Sequence, residues 1–194
     1  MKKSISILAF TLYLFVNYSF GQNADLDLLK KININHPCKL DGTFRFIANT
    51  TSAISIAIPV VVVGDGFINN NHDISTKGIV MGVSLLTAMT LTTGLKFIIR
   101  RQRPFDASGD IDKKIDVGGF SFPSGHTTAA FAIATSLSLA FPKWYVIGPS
   151  FLWAGSVAYS RMFLGVHYPV DILGGIVVGV GSSFLCYSAQ RWIK

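Results

Sequence analysis

Three groups of residues in this 194-residue chain have types and spacings that chemistry can use. The most compact is Ser160-Arg161, then His167-Tyr168-Pro169-Val170-Asp171. Asp171 stands four residues after His167, so on a helix entered at Pro169 its carboxylate can accept a hydrogen bond from one imidazole nitrogen. That bond fixes the tautomer and leaves the other nitrogen free to attack an electrophile. The second group is Phe122-Pro123-Ser124-Gly125-His126-Thr127, at the opening of an apolar run. A helix N-terminus there presents unpaired N–H groups and partial positive charge to an anion, and His126 in its first turn can deliver a proton. The third is Lys96, Arg100 and Arg103, at spacings that predict one helical face at the end of another apolar run. Each group alone has a plainer explanation: snorkelling cations, an N-cap serine, or an aspartate that satisfies its own helix. Together, Lys96, Arg103 and Arg161 can hold an anionic oxygen group while one histidine attacks and the other protonates the leaving group. This set suffices for phosphoryl transfer without a metal. Zinc is disfavoured by the surrounding cations, and Cys38 and Cys186 are too few for a soft metal site or a disulfide scaffold.

The elements that must position these groups are membrane helices. Half of the residues are hydrophobic and only 14% are charged, well under a soluble domain's usual share. Five apolar segments, each of about 16 to 22 residues, are long enough to span a bilayer. They run over 46–64, 78–99, 124–141, 144–159 and 169–189. A sixth apolar run, Ile5–Phe20, follows Lys2-Lys3 and precedes Gly21-Gln22. It fits either a cleaved signal peptide or an uncleaved first span. The expected fold is therefore an all-α polytopic transmembrane bundle, five spans plus an N-terminal signal peptide or sixth span. Residues 1–21 are the leader, 22–45 a periplasmic segment with a short interfacial helix ending before Pro37, and 46–194 the membrane domain. Asp41 is the expected cap of the first span after the leader. Glycines such as Gly174, Gly175 and Gly179 permit close helix approach.

Alternation from an external residue 22 puts all three chemical groups on the same face of the membrane. Lys2, Lys3, Lys143, Arg191 and Lys194 then obey the positive-inside rule, whereas Arg100, Arg101, Arg103, Lys113, Lys114 and Arg161 violate it. An anionic ligand on the outer face explains that excess. The net charge of +7 does not point to nucleic acid, because the basic residues lie between membrane-length spans.

Lys96 with six residues before Arg103-Pro104, then Pro123-Ser124-Gly125-His126, then Ser160-Arg161 with His167 and Asp171, resembles the three-part signature of the type 2 phosphatidic acid phosphatase (PAP2) family, related to vanadium-dependent haloperoxidases. The match runs from Lys96 to Asp171 and fills every signature position. The resemblance implies that His167 is the nucleophile, that Asp171 orients it and that His126 is the general acid. It further implies that Lys96, Arg103, Arg161, Ser124 and the Gly125 N–H bind phosphate, and that no cofactor is needed. The implied substrate is a membrane lipid phosphate: undecaprenyl diphosphate, phosphatidic acid, phosphatidylglycerophosphate or a lipid A phosphate. The Lys2-Lys3 leader with its Gly21-Gln22 junction points to a bacterial envelope protein, placed in the inner membrane with the site facing the periplasm. Arg100 and Arg101 fall outside the signature and are left as headgroup or second-phosphate contacts, or as snorkelling cations. A lipid phosphotransferase using the same site and a non-catalytic binder of anionic lipid are the alternatives; a haloperoxidase is disfavoured because those relatives are soluble and larger.

Overall fold

A computed structural model describes residues 24–34 and 40–193, so the leader expected over 1–21 lies outside the described residues. The described residues contain seven helices and no strand. These are α1 (24–33), α2 (Asp41–Ile68), α3 (His72–Ile99), α4 (Pro104–Ala107), α5 (Gly125–Ala140), α6 (Trp144–Phe163) and α7 (Pro169–Ile193).

Among the described residues, three segments are long and apolar enough by length and composition to cross a membrane: Asp41–Ile68, His72–Ala107 and Pro169–Gln190. Their large apolar side chains turn outward, as Val61, Leu86 and Val177 do. This is the surface expected where lipid, not water, is the solvent. α5 and α6 were expected to span on the same grounds. They are shorter, and α5 is built mostly from Ala, Thr and Ser, because it packs against α3, α6 and α7 rather than lipid. Ala130 and Ala134 of α5 meet Ala154 and Val157 of α6 in one core cluster. Trp144 and Tyr145 open α6 exposed, as interfacial aromatics do.

The close approach of α7 to α5 depends on glycine. A Cβ at Gly179 of α7 would stand 2.5 Å from the Thr128 carbonyl oxygen of α5, and one at Gly175 would stand 2.8 Å from that of Ser124. Any larger residue would push α7 away from the start of α5.

Three local expectations are corrected. The stretch between the first two apolar segments, 65–77, is largely helical rather than a loop, and α2 and α3 are joined by residues 69–71 alone. Asn69 Nδ2 donates to Asp65, and the Asn71 side chain accepts from Ile74 N at 3.2 Å, so side-chain caps let both helices run past their apolar stretches. Asp41 lies in the first turn of α2 after an N-cap at Leu40, and its carboxylate accepts from Lys114 Nζ at 2.8 Å. Lys96, Arg100 and Arg103 do not share one helical face. α3 ends at Ile99, and Arg100 takes the left-handed conformation, φ 51°, turning the chain out of the helix. Arg100 is exposed, while Arg103 returns towards the bundle on extended backbone.

Candidate active site

The site forms where the end of α3, the start of α5, the end of α6 and the start of α7 meet. Residues 100–123 cover it, largely without regular structure. Such backbone needs partners for its carbonyl groups, and cations supply them. Arg103 Nε donates to Gly119 O at 2.9 Å, and its NH2 and NH1 groups donate to Gly118 O at 2.8 Å and Val166 O at 2.9 Å. Lys96 Nζ donates to Phe120 O at 2.6 Å. Two of the expected phosphate ligands therefore also hold the loop.

His167 lies between the carboxylate and the cations. Its Nδ1 is 3.4 Å from Asp171 Oδ2, and its Nε2 is 3.5 Å from NH1 of Arg103. The i,i+4 relation predicted from the sequence is thus realised, with Pro169 at the first position of α7. His167 is 2% exposed. Burial pushes its imidazole down to about 3; Asp171 opposes this, and Arg103 and Arg161 add to the fall. A neutral ring with Nδ1–H towards the carboxylate leaves the Nε2 lone pair facing the cationic side, which suits a nucleophile.

Asp171 is fully buried and has more partners than the sequence suggests. Oδ2 accepts from the Ser121 hydroxyl and from Tyr168 N at 2.9 Å, and Oδ1 accepts from NH1 of Arg101 at 2.8 Å. Ser121 also lies 3.4 Å from His167 Nδ1. Asp171 O accepts from Ser124 N at 3.0 Å, which ties the start of α7 to the start of α5.

Ser124 is the N-cap of α5, as expected, although its hydroxyl accepts from Thr127 Oγ1 at 3.0 Å rather than from a backbone N–H. Gly125 opens the helix, and His126 follows, half-buried, in the field of Arg161, Arg103 and Lys96. Arg161 is 2% exposed, and its Nε has no hydrogen-bond partner among the described residues. A buried guanidinium nitrogen left unpaired is costly and is what an anion-binding site requires. Among the described residues, no three or more His, Cys, Asp or Glu side chains gather as a metal-ligand set.

All eight residues singled out from the sequence lie at this end of the bundle: Lys96, Arg103, Ser124, Gly125, His126, Arg161, His167 and Asp171. Three supporting residues escaped sequence reasoning. Ser121 has no pattern of its own. Arg101 was set aside, although the excess of positive charge on this face included it. Asp25 accepts from NH2 of Arg101 at 2.6 Å, and from Val170 N at 2.9 Å, across 76 and 145 residues of chain.

Residues 77–194 match the family model of the PAP2 superfamily. The chain belongs to the PAP2 superfamily. It is a phosphatase of the membrane-embedded type, and its relatives agree. An undecaprenyl-diphosphatase of Sulfolobus acidocaldarius is 30% identical over 83% of this chain and 76% of its own length. A lipid A 4'-phosphatase of Bacteroides thetaiotaomicron is 32% identical over 48% of this chain and 44% of its own. The crystal structure of a transmembrane PAP2-type phosphatidylglycerolphosphate phosphatase from Bacillus subtilis superposes with a TM-score of 0.78 at 28% identity. That superposition covers all of this chain and 98% of the other.

Proposed function

We propose that this PAP2 phosphatase hydrolyses a membrane lipid phosphate or diphosphate through a phosphohistidine on His167, without a metal. The observation that carries the proposal is the division of the His167 ring, with Nδ1 towards Asp171 and Nε2 towards Arg103. Phosphate would sit against Lys96, Arg103, Arg161, Ser124 and the Gly125 N–H, with the buried Arg161 Nε, which has no partner among the described residues, available to donate. Nε2 attacks phosphorus, and the bond to the leaving lipid oxygen breaks. His126 gives its proton to that oxygen. His126 then takes a proton from water, which attacks the phosphohistidine; the P–N bond breaks and inorganic phosphate leaves. The cations stabilise the charge that grows on the equatorial oxygens.

The substrates named for the relatives share a phosphate carried on a membrane lipid. Undecaprenyl diphosphate comes first, because that relative matches over most of this chain. The violation of the positive-inside rule supports a site facing the periplasm from a bacterial inner membrane, with residues 22–45 on the same side and 46–194 as the phosphatase domain.

The test is phosphate release from undecaprenyl diphosphate, phosphatidic acid, phosphatidylglycerophosphate and a lipid A phosphate, in chelator. Release by wild type and none by His167→Ala is expected. A strict metal requirement would overturn the mechanism, and turnover only with an added acceptor would make the chain a phosphotransferase.

A further inference from the structure

The helix preceding the membrane domain buries one stripe. Asp25, Leu29 and Asn33 stand at i, i+4 and i+8, and they are 5%, 0% and 1% exposed. Leu29 packs with Ile111 and Tyr168. Asn33 Nδ2 donates to Asp112 O at 3.0 Å and to Phe163 O at 2.9 Å, and its Oδ1 accepts from Asp112 N at 2.8 Å. Leu29 and Asn33 would be enough to dock a short helix on the covering loop. Asp25 is a different matter. Its side chain is 3% exposed, it lies beside the start of α7, and it carries a charge there.

Both Asp25 oxygens are used at the site. Oδ1 accepts from Val170 N, so a carboxylate from a distant helix caps α7 one residue before Asp171. Oδ2 accepts from Arg101, whose other terminal nitrogen donates to Asp171 Oδ1. The Arg101 guanidinium also lies 3.8 Å over the Tyr168 ring, and its backbone carbonyl accepts from Ser121 N at 2.8 Å. Ser121 in turn donates to Asp171. A chain Asp25–Arg101–Asp171–His167 therefore runs from the surface helix to the imidazole. A buried ion-pair network of this kind is weak evidence for stability, since desolvation offsets much of its attraction and apolar packing would serve as well. What it supplies is direction: it allows the Asp171 carboxylate one orientation.

We infer that Asp25 and Arg101 are positioning residues for the phosphatase. Through Arg101, the surface helix fixes the Asp171 carboxylate and thereby the His167 ring. The inference rests on the hydrolysis proposed above only in its kinetic readout. Asp25→Asn keeps the size and the α7 cap but removes the charge. It is expected to lower kcat about 10- to 100-fold, the scale of a small misplacement of a reacting group. KM and vanadate affinity should stay within about 2-fold, because the phosphate-binding cations are untouched. Asp25→Glu should recover most of the loss. Leu29→Ala loosens the same helix and removes no member of the Asp25–Arg101–Asp171–His167 chain, although Leu29 packs on Tyr168. It should lower Tm at least as much as Asp25→Asn while keeping kcat within about 3-fold of wild type, if position rather than docking is what Asp25 supplies. Equal kcat losses in Leu29→Ala and Asp25→Asn, or an unchanged kcat in Asp25→Asn, would overturn the inference. If wild type released no phosphate from any lipid, the proposed hydrolysis would fail instead. The positioning role is then decided by the ring 15N resonances of His167 in the resting protein. Asp25→Asn should shift them and Leu29→Ala should not; resonances unmoved by Asp25→Asn would overturn it.

Discussion

The two ends of the bundle are built by different means. At the end away from the site, the connections are short and locally capped. Asn69 and Asp65 close α2, Asn71 opens α3, and residues 141–143 join α5 to α6. The longer-range contacts there are between neutral groups, as where Ser183 donates to the Ala132 carbonyl and accepts from Ser136, across 51 and 47 residues. At the site end, charged contacts join residues far apart in sequence. Arg101 reaches Asp171 across 70 residues, Ser121 reaches it across 50, and Lys114 reaches Asp41 across 73. One end is closed by caps acting within a turn and by neutral hydroxyl contacts. The other is ordered by charged side chains that need the whole fold to find their partners.

This difference predicts unequal responses to substitution. The largest is at His167. His167→Ala should cut turnover by about 10⁴-fold or more, as loss of a nucleophile does, while the protein stays inserted in the membrane. Next is Arg161→Met, which removes a buried charge whose Nε is unpaired. Vanadate affinity should fall about 100-fold, the loss of one or two charge-assisted hydrogen bonds. Tm should rise, because a buried cation has been replaced by an apolar side chain. A fall in Tm would mean that Arg161 serves the fold rather than the ligand.

Acid should weaken the site end selectively. The His167 imidazole is held at about 3 in the folded protein, below the ordinary 6.5. The stability this gives is complete above about pH 6.5 and is lost as pH falls towards 3, because there the unfolded chain takes up a proton that the folded one refuses. The slope is at most about 1.4 kcal/mol per pH unit. Tm measured from pH 7 to pH 5 should fall more steeply in wild type than in His167→Gln. The smallest effects belong to the opposite end. Asn71→Ala should cost about 1 kcal/mol through its lost cap, and Ser183→Ala a similar amount. Both should leave turnover within about 2-fold of wild type; a larger loss there would break the contrast between the ends.

The same contrast explains what was legible in the sequence. The long lipid-facing helices announce themselves by apolar length, and the glycines of α7 by their spacing. His167 and Asp171 are legible because their relation lies within one helical turn. Lys96, Arg103, Ser124 and Arg161 are legible by type and signature spacing. Helix ends were less so. The turn at Arg100 breaks a pattern that seemed to continue to Arg103, and Asn69 and Asn71 let helices outrun their hydrophobic stretches. α5 is too short and too rich in small residues to be told from a soluble core helix by hydropathy. Asp25, Arg101 and Ser121 were not legible, because nothing within a few residues of each one foretells a shared carboxylate on another helix.

The most direct test of the central claim is to trap the intermediate. Wild-type protein mixed with a ³²P-labelled lipid phosphate and quenched in alkali within milliseconds should carry an alkali-stable, acid-labile phosphate on His167, and His167→Ala should carry none. A label found on another residue, or rapid turnover with no phosphoprotein at any time, would contradict the nucleophilic role of His167.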